Sequence, residues 1–110
     1  MIDLSSKTAV ITGAGQGVGL GIATALAKHG AKVALLGRTF DKVNKASKKL
    51  NKEGFTTIAV ECDVKHEESI DLAIEQIISE FTTINVLINN AQEVPSVSYT
   101  HLRAHETGYN

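Results

Sequence analysis

The sequence predicts an α/β fold, a doubly wound parallel sheet with strands in the order 3-2-1-4 and helices on both faces. Three observations carry this expectation. Short apolar, β-branched runs alternate with segments of helical periodicity along most of the 110 residues. Four glycines fall within Gly13–Gly19, between the first such run and the first helix. Polar residues collect where each later strand would end, at Arg38, Asp63 and Asn89-Asn90, and in sheets of this kind ligands sit at the carboxyl ends of the strands.

After a short lead-in, Lys7–Thr12 reads as a buried strand. Past the glycines, a helix carries apolar residues at Val18, Ile22, Ala25 and Leu26 and stops at Gly30, as a helix with a glycine just beyond its end does. Lys32–Gly37 is the second strand. Residues 39–53 are polar, yet Phe40, Val43, Ala46 and Leu50 share one helical face, with Thr39 as N-cap and Gly54 past the end. Thr56–Glu61 is the third strand. From His66 to Phe81, Ile70, Ala73, Ile74, Ile77, Ile78 and Phe81 form the apolar stripe of a helix laid on a sheet, and Glu67 and Glu68 occupy its first turn, where the helix dipole favours them. Ile84–Ile88 completes the set as a fourth strand, before Asn89-Asn90-Ala91.

Composition narrows the function classes. A hydrophobic content of 43% and a charged content of 21% are ordinary for a soluble domain, and the length allows one domain at most. A formal net charge of −1 gives no attraction to nucleic acid or to a membrane surface. Without a membrane-length apolar run or a signal-peptide pattern, the expected compartment is the cytoplasm. The single cysteine, Cys62, excludes an internal disulfide framework and reads as a small buried filler at the end of a strand.

The glycine loop is where chemistry is expected. A strand feeding a glycine-rich turn into a helix N-terminus lets the backbone approach a ligand closely and aims unsatisfied N–H groups at it, a geometry suited to phosphate. The spacing, with Thr12 in front, is T-G-x-x-x-G-x-G, which resembles the cofactor loop of the short-chain dehydrogenase/reductase family. Three further features match over about residues 5–91. Asp63-Val64 is similar to the family's acidic-aliphatic pair after strand three, and Asn89-Asn90-Ala91 to its N-N-A-G motif after strand four. Arg38 stands after strand two, where the family chooses between nicotinamide cofactors.

The resemblance implies a Rossmann-type fold, truncated after strand four, in an NAD(P)-dependent oxidoreductase that interconverts a carbonyl and an alcohol. It implies that Gly13, Gly15, Gln16, Gly17, Val18 and Gly19 bind the pyrophosphate, that Asp63 and Val64 contact the adenine, and that Asn90 and Ala91 lie near the ribose. The implied partners are the dinucleotide and a small-molecule substrate, with the complete enzyme a homo-oligomer. Cofactor choice follows from the end of strand two. The carboxylate that would grip the ribose 2′-OH of NAD is replaced by Gly37, and Arg38, helped by Thr39, suits the 2′-phosphate of NADP(H). Departures from the family pattern are Gln92 for the last glycine of N-N-A-G, Asn85 for an aspartate, Thr82 for a common glycine and Lys65 for Ser or Thr.

No catalytic or metal-binding residue is assigned. The family's catalytic serine, Y-x-x-x-K pair and helix asparagine lie downstream of N-N-A-G, so the 110-residue chain is expected to be inactive. Tyr99 and Arg103 imitate that pair, but an arginine with fixed charge is a poor substitute for the lysine. His101 and His105 have no third histidine or cysteine beside them. His29 and His66 read as solvated surface residues. Val97–Thr107 resembles an in-frame translation of the transposase adapter used in sequencing libraries, which divides the chain into a half-domain at 1–95 and a disordered, non-native tail at 96–110. The alternative function is a non-catalytic nucleotide-binding module engaged in redox sensing. A methyltransferase reading fits the glycine spacing and Asn89-Asn90-Ala91 poorly.

Overall fold

The computed structural model describes residues 2–90. Ala91, Gln92, the Tyr99/Arg103 and His101/His105 pairs and the expected tail at 96–110 lie outside the described residues.

The chain alternates β1 (Thr8–Thr12), α1 (Gly17–Lys28), β2 (Lys32–Gly37), α2 (Phe40–Lys52), β3 (Thr57–Glu61), α3 (Glu67–Phe81) and β4 (Val86–Ile88). The four strands form one parallel sheet in the expected order β3-β2-β1-β4. Period-two alternation divides the strand side chains between two cores. Ala9, Ile11, Val33 and Leu35 face α1 and α2, whereas Val10, Ala34, Leu36 and Val60 face α3. Because both faces are covered, β1 is buried along its whole length, and this is why the strands read as unbroken apolar runs.

Each helix reaches the sheet differently. The stripe expected on α3 is the one it buries, with Ile70, Ala73, Ile74, Ile77 and Phe81 inward. On α1 the expectation needs correction. Val18 is 70% exposed and Ala25 is exposed, while the residues facing the sheet are Gly19, Ala23 and Ala27. Small side chains let this helix lie close to β1, and the larger Leu20, Ile22 and Leu26 pack at its flanks. On α2, Val43, Ala46 and Leu50 are buried as expected, but Phe40, at the edge of that face, is 42% exposed. Thr39 occupies the N-cap position without capping through its side chain; its carbonyl accepts the Lys42 N–H instead.

The ends of α1 and α2 behave as their glycines require. Gly30 and Gly54, each just past a helix end, have φ of 101° and 98°, a conformation that a side chain disfavours. The end of α3 has no such glycine. Thr82 stands there at φ 75°, the one non-glycine with positive φ among the described residues. Its N–H donates to the Ile78 carbonyl, and the next N–H, of Thr83, closes a three-residue turn onto the Phe81 carbonyl at 2.9 Å.

The fourth strand is shorter than Ile84–Ile88. Asn85 precedes the ladder and extends it by other means, since its N–H donates to the Thr8 carbonyl and its Oδ1 accepts the Thr8 N–H at 2.8 Å. Residue 85 thereby registers β4 on β1 through its carboxamide.

Candidate functional site: a cleft at the carboxyl ends of the strands

The site is assembled where β1, β2, β3 and β4 end. From β1 the chain enters the loop 13–16 and turns into α1, with Gly13 at φ 62° and Gly17 at φ 60°. A Cβ added at Gly17 would meet nothing within 4 Å, so this residue presents bare backbone to open space at the start of the helix. At Gly19 the requirement is different: a Cβ would fall 2.2 Å from the Gly13 carbonyl oxygen and 2.5 Å from Asn90 Nδ2. Here glycine is demanded by close packing between the helix and its own loop.

Hydrogen bonds fix the loop to the sheet from both sides. The Ala14 N–H donates to the Leu36 carbonyl of β2 at 3.0 Å. On the other side, the Thr12 hydroxyl donates to Asn89 Oδ1 at 3.0 Å and accepts the Asn90 N–H at 2.9 Å, while Asn90 Nδ2 donates to the Gly13 carbonyl. Asn89 and Asn90 thus tie the end of β4 to the glycine loop. Asn90 is a positioning residue for the loop as well as part of the cleft wall.

At the end of β3, the Asp63 N–H donates to Ser69 Oγ at 2.8 Å, and its Oδ1 accepts the Lys65 N–H at 3.0 Å. His66 Nε2 lies 3.6 Å from the other carboxylate oxygen. The carboxylate is therefore held by its own turn at the start of α3. Beside it, Cys62 is buried and free. Burial raises its thiol pKa; a hydrogen bond with Ser69 opposes that, and the Asp63 charge adds to it. A thiol kept protonated in this way is a poor nucleophile and serves as the small buried filler expected.

These elements enclose a cleft of about 420 Å³. It brings together Gly13, Gln16, Gly17 and Val18 from the loop, Arg38 after β2, Asp63 and Val64 after β3, and Asn90 after β4. Gly37, Cys62 and Lys65 complete its wall. Gly15 and Gly19 stand behind the surface, supporting it, and Thr39 is exposed without lining the cleft. The exposure of Val18 has its reason here, because it faces the cleft. A wider hollow of about 880 Å³ continues from Arg38, Asp63 and Lys65 along the first turns of α3 to the exposed Leu72.

One contact was not legible in the sequence. Lys42, in the first turn of α2, donates from Nζ to Gln16 Oε1 at 3.1 Å across the rim of the loop. The segment 39–53 reads only as polar with one apolar face, and the fold is what brings Lys42 to the glycines.

Comparison with known proteins gives the same picture. A family model described as short chain dehydrogenase matches residues 7–106. The 5-keto-D-gluconate 5-reductase of Escherichia coli K12 is 37% identical over 91 residues, covering 83% of this chain and 36% of the reductase. Among solved structures, a hydroxysteroid dehydrogenase from Escherichia coli superposes with a TM-score of 0.86 at 28% identity, covering 93% of this chain and 51% of that one. The L-sorbose reductase of Gluconobacter frateurii, solved with NADPH and L-sorbose, superposes with a TM-score of 0.77 at 32% identity, covering 90% of this chain and 41% of that one. The chain spans less than half the length of these curated relatives, as with 36% of the first reductase and 45% of a Staphylococcus aureus oxidoreductase.

Proposed function

The chain belongs to the short-chain dehydrogenase/reductase family and carries the nucleotide-binding part of an NAD(P)-dependent oxidoreductase, and from that premise we propose that it binds NADP(H) in preference to NAD(H). The observation that carries the preference is the composition of the cleft at the end of β2, where Gly37 offers no carboxylate and Arg38 offers a guanidinium. A carboxylate there would grip a ribose 2′-OH and repel a 2′-phosphate; a guanidinium does the reverse. The NADPH-bound L-sorbose reductase supports the same choice by likeness.

The residues present fit a dinucleotide. Bare backbone at Gly17 and the N-terminus of α1 suit the pyrophosphate. Gly13, Gln16 and Val18 border that position, Gly15 and Gly19 let loop and helix close up beneath it, and Asp63 and Val64 wall the adenine end. Asn90 would stand toward the ribose, and Thr39 would offer a hydroxyl beside Arg38. When bound, the nicotinamide supplies or accepts the hydride. The chain's own part is to bind and orient it, through a loop that hydrogen bonds from Ala14, Thr12 and Asn90 tie to the sheet.

In the longer proteins that this chain resembles, the same platform would serve exchange between a small-molecule carbonyl and the corresponding alcohol, in a cytoplasmic homo-oligomer. No described helix is long and apolar enough to cross a membrane. Residues 1–95 would form the nucleotide-binding unit.

A charge-assisted hydrogen bond contributes roughly 1.5–3 kcal/mol, so Arg38 supplies a preference of about ten- to a hundredfold. Titration of NADPH and NADH against the wild-type chain and an Arg38→Leu variant tests it. Tighter binding of NADPH, lost in the variant, is the expected result. Equal affinities in the wild type overturn the preference.

A further inference from the structure

The first turn of α2 is pressed against both the glycine loop and the end of β2. A Cβ at Gly15 would meet Lys42 Cβ at 3.0 Å and Val43 Cγ1 at 3.5 Å, and one at Gly37 would meet the same Val43 methyl at 2.9 Å. The root of Lys42 is therefore fixed against the loop. Its ammonium reaches Gln16, which lines the cleft, and both residues are exposed at its rim. The partner that holds it is a neutral carboxamide oxygen. An ammonium has three N–H donors, so this bond leaves capacity for a second acceptor and neutralises none of the charge.

We propose that Lys42 is a second cation of the subsite for the ribose 2′-phosphate, held in place by Gln16 and acting with Arg38. The inference rests on the NADP(H) reading above and goes beyond it, because it assigns part of the selectivity to α2 and not to the end of β2 alone. A phosphate monoester is close to a dianion at neutral pH, and one guanidinium leaves part of that charge unmatched. The two cations approach from different elements, Arg38 from the β2 end and Lys42 from the helix seated on Gly15. Gln16 keeps the long lysine side chain at the rim, so less of its rotamer freedom remains to be lost when phosphate arrives.

Lys42→Met separates charge from packing, because methionine retains an unbranched stem against Gly15 while losing the ammonium. NADPH, NADH, 2′,5′-ADP and 5′-AMP are titrated against the wild-type chain, Lys42→Met and Lys42→Arg, at two salt concentrations. The expected result is a loss of about tenfold in affinity for NADPH and for 2′,5′-ADP in Lys42→Met. NADH and 5′-AMP should bind unchanged, the salt dependence of NADPH binding should become shallower, and Lys42→Arg should restore most of the loss. An equal loss for all four ligands would make Lys42 a packing residue and overturn the proposal, as would full retention of the preference in Lys42→Met. Failure of the two readings is distinguishable. A wild type that binds NADPH and NADH alike removes the Arg38 reading and this one with it, whereas a wild-type preference that survives Lys42→Met removes this one alone.

Discussion

Replacing Thr82 by glycine should stabilise the protein. Thr82 ends α3 at φ 75° and ψ −44°, as the central residue of a turn closed by the Thr83 N–H on the Phe81 carbonyl. A β-branched residue at positive φ is strained, by about 1–3 kcal/mol. Glycine removes the clash but makes the unfolded chain more flexible, which returns roughly 0.4–1 kcal/mol. The side chain is exposed, so its loss sacrifices little packing. The net gain is about 1 kcal/mol, equivalent to a rise in Tm of roughly 4–8 °C for a domain of this size. Urea and thermal denaturation of wild type, Thr82→Gly and Thr82→Ala would measure it. Alanine keeps the Cβ and most of the strain, so it should give little of the gain. A glycine variant no more stable than wild type, or an alanine variant equally improved, would refute the assignment of strain to this residue.

Three further outcomes follow from the geometry. Gly19→Ala should destabilise by about 1–3 kcal/mol through overpacking and abolish nucleotide binding, because its methyl group must displace the Gly13 carbonyl or Asn90; calorimetric titration with NADPH reads the second effect. Gly37→Asp with Arg38→Leu should reverse cofactor preference fully only when Val43→Ala makes room, since a Cβ at residue 37 would press on a Val43 methyl; titration of both cofactors against the double and triple variants decides it. Cys62 has its folded pKa raised above its ordinary value of 9.0, so the stability tied to its protonated form is intact below that pH and is lost as pH rises through the folded value. Denaturation midpoints collected up the alkaline range should fall less steeply for Cys62→Ala than for wild type.

The sheet order was expected from strand–helix alternation and the arrangement common to half of a doubly wound fold, and the four strand ends were legible because a parallel sheet buried on both faces leaves continuous apolar runs whose loops concentrate glycine and polar residues. The stripe of α3 was legible because large side chains mark it. The inward face of α1 was not, since its contact is made by Gly19, Ala23 and Ala27, and periodicity weighted by large apolar residues points to Val18 and Ile22 instead. Phe40 misled for a related reason: an apolar residue in the first turn satisfies the pattern whether or not the sheet extends beneath it. At the site, Gly13, Gln16, Gly17, Val18, Arg38, Asp63, Val64 and Asn90 line one cleft while Gly15, Gly19 and Thr39 do not, and the tie from Lys42 to Gln16 joins residues 26 apart in sequence, which no local pattern encodes. The positioning task of Asn90 was hidden likewise, because its bond to Gly13 exists only once β4 has paired with β1.

That last bond has a thermodynamic consequence. β4 has three residues and lies at the edge of the described sheet, a place where strands open by local fluctuation at low free energy. When it detaches, the Gly13 carbonyl loses Asn90 and the Thr12 hydroxyl loses its contacts to Asn89 and Asn90, just past β4. If the nucleotide seats on the loop as proposed and requires these ties, part of its binding free energy would go into holding down β4. The amide hydrogen of Leu87, which by strand alternation from Asn85 faces β1, should then exchange more slowly as nucleotide concentration rises, in proportion to one plus the ratio of ligand concentration to Kd.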